Sequence, residues 1–262
     1  MTKEKRGDGT VGKALDVLSE VAEIGSPVRF SSILKTSKYP KATLYRLLQT
    51  LLNQDMLSYN EEEQTYKLGL KLVRMAHSAW LQSSLAPVAV PFIDDLSAKV
   101  GETVHLAELD NGQVLYVDKR NPASPIEMYS QAGKVGPAYC TGVGKAMMAF
   151  LDESELNKVI SKQAFHKYTD HTITSAKELR KELASIKKEG ISFDRQEHEA
   201  KIICISSPIL TSSGKVIGGL SITSSIDIHS LKSLEKFKPQ LLETSELIAK
   251  EAGAWSFPEK NY

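Results

Sequence analysis

Five leucines constrain this chain more than any other feature. Leu44, Leu47, Leu48, Leu51 and Leu52 recur at intervals of three and four after Tyr39-Pro40, the stripe of a helix with one buried face. Pro40 suits the first helical position, where its missing N–H is not needed. After Asn53-Gln54-Asp55 the period changes to two. Met56-Leu57-Ser58-Tyr59 and Gln64-Thr65-Tyr66-Lys67-Leu68 read as strands around the acidic turn Asn60 to Glu63. Upstream, Val11, Ala14, Leu15, Val17, Leu18, Val21 and Ala22 form another helical face, ended by Gly25-Ser26-Pro27. Phe30 to Lys35 fits a short helix with Ile33 and Leu34 inward. Three helices followed by a two-stranded wing predict a winged helix-turn-helix over residues 10–69, behind a disordered tail over 1–9.

The face of the third helix opposite its leucines holds Ala42, Arg46, Gln49 and Asn53, with Tyr39 just before it. Lys38 and Lys41 flank its N-terminus, where free backbone N–H groups already favour phosphate. No acidic residue lies between Glu23 and Asp55, while Arg29, Lys35, Lys38, Lys41 and Arg46 all do. The whole chain carries a formal charge of only +1, so this basic window is local. It is what a surface touching phosphates needs, because a carboxylate there would repel the ligand. An ordinary surface helix also has an apolar back. The preceding short helix and the following wing are what turn this one into an expected recognition helix for double-stranded operator DNA. Arg46 can reach guanine N7 and O6, and Gln49 or Asn53 adenine or a phosphate.

The rest of the chain alternates between periods. Leu70 to Ser83 reads as a linker helix (70–84). Its apolar edge of Leu70, Val73, Ala76, His77 and Trp80 is expected to meet a second subunit, with Trp80 as anchor. A helix over Ala86 to Lys99 follows. Thr103 to Leu109 and Gln113 to Lys119 are strands split by the hairpin signal Asp110-Asn111-Gly112, and Ile126 to Gln131 reads as a third. Gly142 to Leu151 reads as a helix. Asp152-Glu153-Ser154-Glu155 and Ser175-Ala176-Lys177-Glu178 are capping patterns for two more. Ile202 to Ile209 and Val216 to Thr223 are strands, and Leu231 to Ala252 a closing helix. Antiparallel strands with helices on their faces make an α+β domain over 85–255.

Three stretches of this sequence resemble one family. Tyr39-Pro40-Lys41-Ala42-Thr43-Leu44-Tyr45-Arg46-Leu47-Leu48-Gln49-Thr50-Leu51, with the wing end Tyr66-Lys67-Leu68-Gly69, looks like the recognition helix of IclR-type transcriptional regulators. Gly136-Pro137-Ala138-Tyr139-Cys140-Thr141-Gly142-Val143-Gly144-Lys145-Ala146 and Gly190-Ile191-Ser192-Phe193-Asp194-Arg195-Gln196-Glu197-His198-Glu199, running into Cys204, Pro208 and Gly214, are similar to stretches of the same family's second domain. The resemblance covers residues 10–255. It implies a GAF-like effector domain, a homodimer or dimer of dimers, and DNA contacts from Arg29, Lys38, Tyr39, Lys41, Ala42, Thr43, Tyr45, Arg46 and Gln49. It also implies that a small organic acid sits against Met128, Gly142, Val143, Asp194, Cys204, Ser221 and Thr223. Helix-terminal amides at Gly142 and Val143 and hydroxyls at Ser221 and Thr223 would suit a carboxylate, and Asp194 a ligand hydroxyl. Glu102 to Leu106 and Met128 to Ser130 are similar to the branch that represses keto-deoxygluconate and pectin catabolism, which points to a keto or sugar acid and to a repressor.

Other chemistries find weaker support. Gly142-x-Gly144-Lys145 resembles a fragment of a phosphate loop, but Tyr139 and Ala146 stand where that loop needs Gly and Ser/Thr. Cys204 inside Ile202-Ile203-Cys204-Ile205 reads as a small buried residue rather than a nucleophile. The spacing of His166, Asp170 and His171 matches no standard metal site. No cofactor or metal is expected, and an enzyme acting on a small acid, or a sensor working through protein partners, are the rival readings. Two cysteines make no disulfide framework. No run approaches the ~18 apolar residues of a membrane span, and the polar start Met1 to Thr10 is no Sec-type signal. These features predict a cytoplasmic protein.

Overall fold

The computed structural model describes residues 9–83 and 85–254; of the tail expected over residues 1–9, all but Gly9, which opens a helix, lies outside them. The chain divides into two compact units between Ala79 and Trp80. The first holds α1 (Gly9–Ile24), β1 (Val28–Arg29), α2 (Phe30–Thr36), α3 (Lys41–Asn53), β2 (Leu57–Asn60) and β3 (Thr65–Leu68). Its core is the predicted one: Leu44, Leu47, Leu48 and Leu51 of α3 bury against Val17 and Val21 of α1, Ile33 of α2, and Leu57 and Tyr66 of the wing. Leu57 pairs with Leu68 and Tyr59 with Tyr66 across the antiparallel β2–β3 ladder. At the turn the Asn60 side-chain oxygen accepts from the amides of Glu62 and Glu63.

Three details depart from the sequence reading. Pro40 is the residue before α3 and not its first, because its backbone stays extended (ψ 150°). The short β1 pairs with β3 through Val28 and Arg29, making a three-stranded sheet in the order β1-β3-β2. On α1 only Val17 and Val21 are fully buried. Val11, Leu15 and Ala22 lie on a second stripe that faces solvent, so the seven apolar positions are two faces and not one.

α4 (Leu70–Ser83) carries the boundary between the units. Beyond it come α5 (Ala86–Val100), β4 (Thr103–Asp110), β5 (Gln113–Arg120), β6 (Val135–Pro137), α6 (Gly142–Met148), α7 (Glu153–Ser161), α8 (Ala176–Glu189), β7 (Ser192–Arg195), β8 (Ile202–Leu210), β9 (Val216–Ser225), α9 (Leu231–Leu234) and α10 (Lys238–Ala254). One antiparallel sheet runs in the order β6-β5-β4-β9-β8-β7. Ile93 and Leu96 of α5 and Leu241 and Ile248 of α10 cover one face, packed on Leu106, Ile205 and Ile222. Met147 of α6, Val159 of α7 and Leu183 of α8 pack on the other with Ala107, Val114 and Tyr116. Both faces of the sheet are therefore covered, and most residues of β4, β8 and β9 are buried.

Residues 126–131 are not a strand. Their backbone polar groups are met by side chains instead of a neighbouring strand: the Tyr129 amide donates to Glu199 (2.9 Å) and the Ser130 carbonyl accepts from Lys119 Nζ (2.8 Å). The closing helix is broken by a 3-10 turn at Glu235–Phe237, where Pro239 has no N–H to carry the ladder across. Trp80 donates its indole N–H to the Val117 carbonyl (3.1 Å) and packs on the second unit's own core. The indole expected to anchor a second subunit is thus anchored within its own chain. Leu70 and Val73 on the same helix remain 82% and 64% exposed.

Candidate functional site

The leucines of α3 decide what the rest of that helix presents. With them turned inward, Lys41, Ala42, Tyr45 and Arg46 are exposed and Thr43 and Gln49 half-buried. Tyr45 is steadied by an edge-on contact with the Phe30 ring of α2. Arg29 stands exposed on β1 opposite Thr65 of the wing. Lys38 and Tyr39 behave differently from the expectation. Both reach Asp16 of α1, Lys38 at 2.8 Å and the Tyr39 hydroxyl at 2.5 Å, and the Asp16 carboxyl is held below its ordinary value by these two hydrogen bonds. The stretch free of carboxylates in sequence therefore receives one in space. Tyr39 packs on the core beneath α3, where it holds α1 to the start of that helix.

In the second unit, two adjacent rows of mostly polar side chains run across the sheet. Ser192, Ser206, Ser221 and His105 are successive register partners through β7, β8, β9 and β4. Asp194, Cys204, Thr223 and Thr103 form the next row, two residues along each strand, and so face the same side. The N-terminus of α6 rests on these rows. Only glycine fits at position 142, because a Cβ there would lie 2.4 Å from Cys204 Sγ and 2.7 Å from Ser206 Oγ. Ser192 donates to the Gly142 carbonyl.

A cavity of about 30 Å³ lies at this junction, space on the order of one water. Met128, Gly142, Val143, Asp194, Cys204, Ser221 and Thr223 all line it, brought together from β7, β8, β9, α6 and the irregular segment before β6. His105, Tyr116, Ser130 and Glu199 line it too, none of them expected there from the sequence, and so does His198, which beside Glu197 and Glu199 reads in sequence as a residue of the pocket rim. A lone histidine between Val104 and Leu106 was the available signal for His105. His198 and Glu199 also border an open cleft of about 510 Å³, walled by Tyr129, Tyr139 and Tyr168, whose rings sandwich His198 edge-on through Tyr129 and Tyr168.

The site's electrostatics follow from burial. The hydroxyls of Ser221 and Thr223 are engaged by His105 Nδ1 at 3.3 and 3.2 Å, not free as expected. Burial, helped by Lys119, pushes the His105 imidazole down to about 3, so the ring is neutral near pH 7. Burial and then the neighbouring Glu197 carboxylate push Asp194 up to about 7. One Asp194 oxygen accepts from the Glu197 amide at 2.7 Å. Burial drives the Cys204 thiol up to about 12, leaving no thiolate to attack a substrate. Among the described residues, no three His, Cys, Asp or Glu side chains are placed to hold a metal; Asp170 instead pairs with Lys167 at 2.7 Å.

A winged helix-turn-helix joined in one chain to an α+β domain is the architecture of a DNA-binding regulator of transcription. Comparison with known proteins makes the class specific. Residues 10–61 match the IclR helix-turn-helix domain, and residues 77–250 match the Bacterial transcriptional regulator IclR C-terminal model. The chain belongs to the IclR family of transcriptional regulators. It is 30% identical over 244 residues to the HTH-type transcriptional regulator KdgR of Dickeya chrysanthemi, covering 93% of this chain and 79% of that one. Its fold is similar to the crystal structure of IclR from Thermotoga maritima, with a TM-score of 0.76 and 27% identity over 93% of this chain and 98% of the other. It is also similar to an IclR homolog from Microbacterium hydrocarbonoxydans complexed with 4-hydroxybenzoate, with a TM-score of 0.81 at 21% identity over 94% and 100% of the two chains. The matched families and relatives are transcriptional regulators and not enzymes.

Proposed function

We propose that this regulator binds operator DNA through α3 and the wing, and that a small carboxylate in the second unit's cavity sets its affinity for that DNA. The DNA-contacting set is Arg29, Lys41, Ala42, Thr43, Tyr45, Arg46 and Gln49, with Lys38 and Tyr39 acting at the N-terminus of the helix. The effector set is Met128, Gly142, Val143, Asp194, Cys204, Ser221 and Thr223. The observation that carries the reading is the pair of adjacent polar rows beneath Gly142, whose buried side chains line one small cavity. The carboxylate class agrees with the ligand held by the Microbacterium neighbour, and the likeness to KdgR favours a keto or sugar acid. The cavity is far smaller than the roughly 300–1,000 Å³ of sites for drug-sized ligands, so the effector is a small acid whose entry displaces the segment of Met128 to Ser130.

The chain would act as a symmetric dimer or dimer of dimers, with residues 70–84 as linker helix. The exposed Val11 and Leu15 on α1 and Leu70 and Val73 on α4 are apolar surface of the kind a second subunit covers. The effector would shift the population between two arrangements of the recognition helices.

Gel shift on genomic fragments tests the DNA half. Arg46→Ala should weaken specific binding by about 1–3 kcal/mol and relax base preference near its contact, whereas Lys41→Ala should weaken specific and non-specific binding alike and lower the salt slope by about one. Unchanged operator affinity of Arg46→Ala at fixed salt would place the recognition face elsewhere. Calorimetry of the full chain with pyruvate, lactate, gluconate and 2-keto-3-deoxygluconate tests the other half. At least one acid should bind, and Ser221→Ala should weaken it by about 0.5–3 kcal/mol. Preference for an aromatic amine over every acid, untouched by Ser221→Ala, would refute it.

A further inference from the structure

His105 is only 2% exposed, yet both ring nitrogens are engaged, and every partner is a hydroxyl. Nε2 lies 2.8 Å from Ser130 Oγ. Nδ1 lies 3.3 Å from Ser221 Oγ and 3.2 Å from Thr223 Oγ1, which are themselves 3.5 Å apart. The Tyr116 ring packs 5.3 Å away, centroid to centroid. Lys119, the register partner of His105 on β5, holds the Ser130 carbonyl from its far side. No carboxylate bonds the ring in this set, and a cation stands on the neighbouring strand, so the surroundings favour the uncharged imidazole. An uncharged imidazole has one N–H and one lone pair.

That leaves two proton arrangements with opposite consequences for the cavity. With the proton on Nε2, the ring donates to Ser130, and Nδ1 takes an O–H from Ser221 or Thr223. That hydroxyl then has no hydrogen to offer a ligand. With the proton on Nδ1, the ring donates to the two hydroxyl oxygens, and Ser130 donates its own O–H to Nε2. Ser221 and Thr223 then both keep their hydrogens for the cavity. An anion needs donors, and a neutral carbonyl or amide gains less from them.

We propose that His105 is the specificity-determining residue of the effector site: a tautomeric relay, set by Ser130 on one side, that lets Ser221 and Thr223 donate together to a carboxylate. This rests on the reading of the cavity as the effector site. It explains why three hydroxyl residues from two separate parts of the chain converge on one buried ring, and it makes Ser130, on the segment an entering ligand must move, part of the recognition.

The test uses the full chain, the four acids above and pyruvamide as a neutral counterpart of pyruvate. Wild type should bind its best acid about ten- to hundredfold tighter than pyruvamide, the range of one or two hydrogen bonds to a charged group. His105→Phe should lose that preference while keeping a cooperative urea transition of the second unit by circular dichroism, which reports that the unit holding the cavity is folded. His105→Asn, which can still donate from near the Nδ1 position, should keep part of it. Imidazole 15N shifts of His105 in the acid-saturated protein should show the proton on Nδ1. A folded His105→Phe that keeps the wild-type preference, or a proton found on Nε2 in the acid complex, overturns the relay alone. Wild type that binds none of the acids overturns the effector reading and the relay with it.

Discussion

Lys145→Met should destabilise the second unit by about 3–5 kcal/mol, the usual cost of removing one partner of a buried ion pair. Lys145 is fully buried on α6. Its ammonium meets the Glu197 carboxylate in a short contact and lies 3.6 Å from Glu182. Glu197 is 2% exposed, and its second carboxylate oxygen has no hydrogen-bond partner. Taking the ammonium away leaves a buried carboxylate with only Arg195, 3.9 Å off and itself paired to Glu182 at 2.7 Å, to compensate it. The loss would extend to the cavity. The Glu197 amide holds Asp194, and its carbonyl accepts from Thr172 at 2.6 Å. Urea unfolding followed by circular dichroism measures the loss. The double replacement Lys145→Met, Glu197→Leu should recover most of it, because both charges then leave together. A single variant within about 1 kcal/mol of wild type would mean that water or Arg195 replaces the pair.

The second large effect is a pH dependence set by Asp194. Its pKa rises from 3.8 to about 7 on folding. The folded state therefore binds this proton more tightly than the unfolded chain. The resulting stabilisation is fully present below pH 3.8 and is lost as pH rises through about 7. At about 1.4 kcal/mol per pH unit, the loss across that window is about 4 kcal/mol. Glu197 and Glu199 press the value upward, and Lys145 opposes them. Asp194→Asn keeps an oxygen for the Glu197 amide and carries no charge. Its urea midpoint should vary less between pH 5 and 8 than that of wild type, and should exceed it at pH 8. Equal pH slopes for the two proteins would show that Asp194 does not titrate in this window. Affinity for an acidic effector should fall over the same range, since protonated Asp194 can donate to a carboxylate and ionised Asp194 repels it.

Much of the architecture was legible because it depends on neighbours two to four residues away. The leucine stripe of α3, the change of period into the wing, and the Asp110-Asn111-Gly112 turn all act at that range. So do the caps at Asp152 and Ser175, which accept from the amides of Glu155 and Glu178. Where local patterns failed, a distant partner had intervened. Residues 126–131 look like a strand, but Glu199, Lys119 and His105 take their polar groups. The basic window holds no carboxylate in sequence, but Asp16 arrives from a helix 22 residues before Lys38.

The sequence by itself determined the order of elements, the inward face of α3 with Arg46 on its outward side, and, through resemblance, the seven positions that gather at the cavity. Only the tertiary structure decided what those positions do to one another. His105 meets Ser221 across 116 residues of chain and Lys145 meets Glu197 across 52. Periodicity records which way a side chain faces relative to its own element. Which groups it then meets, and so which of them hold a proton, depends on strand register and on the depth at which charge is buried, and neither is a local property of the chain.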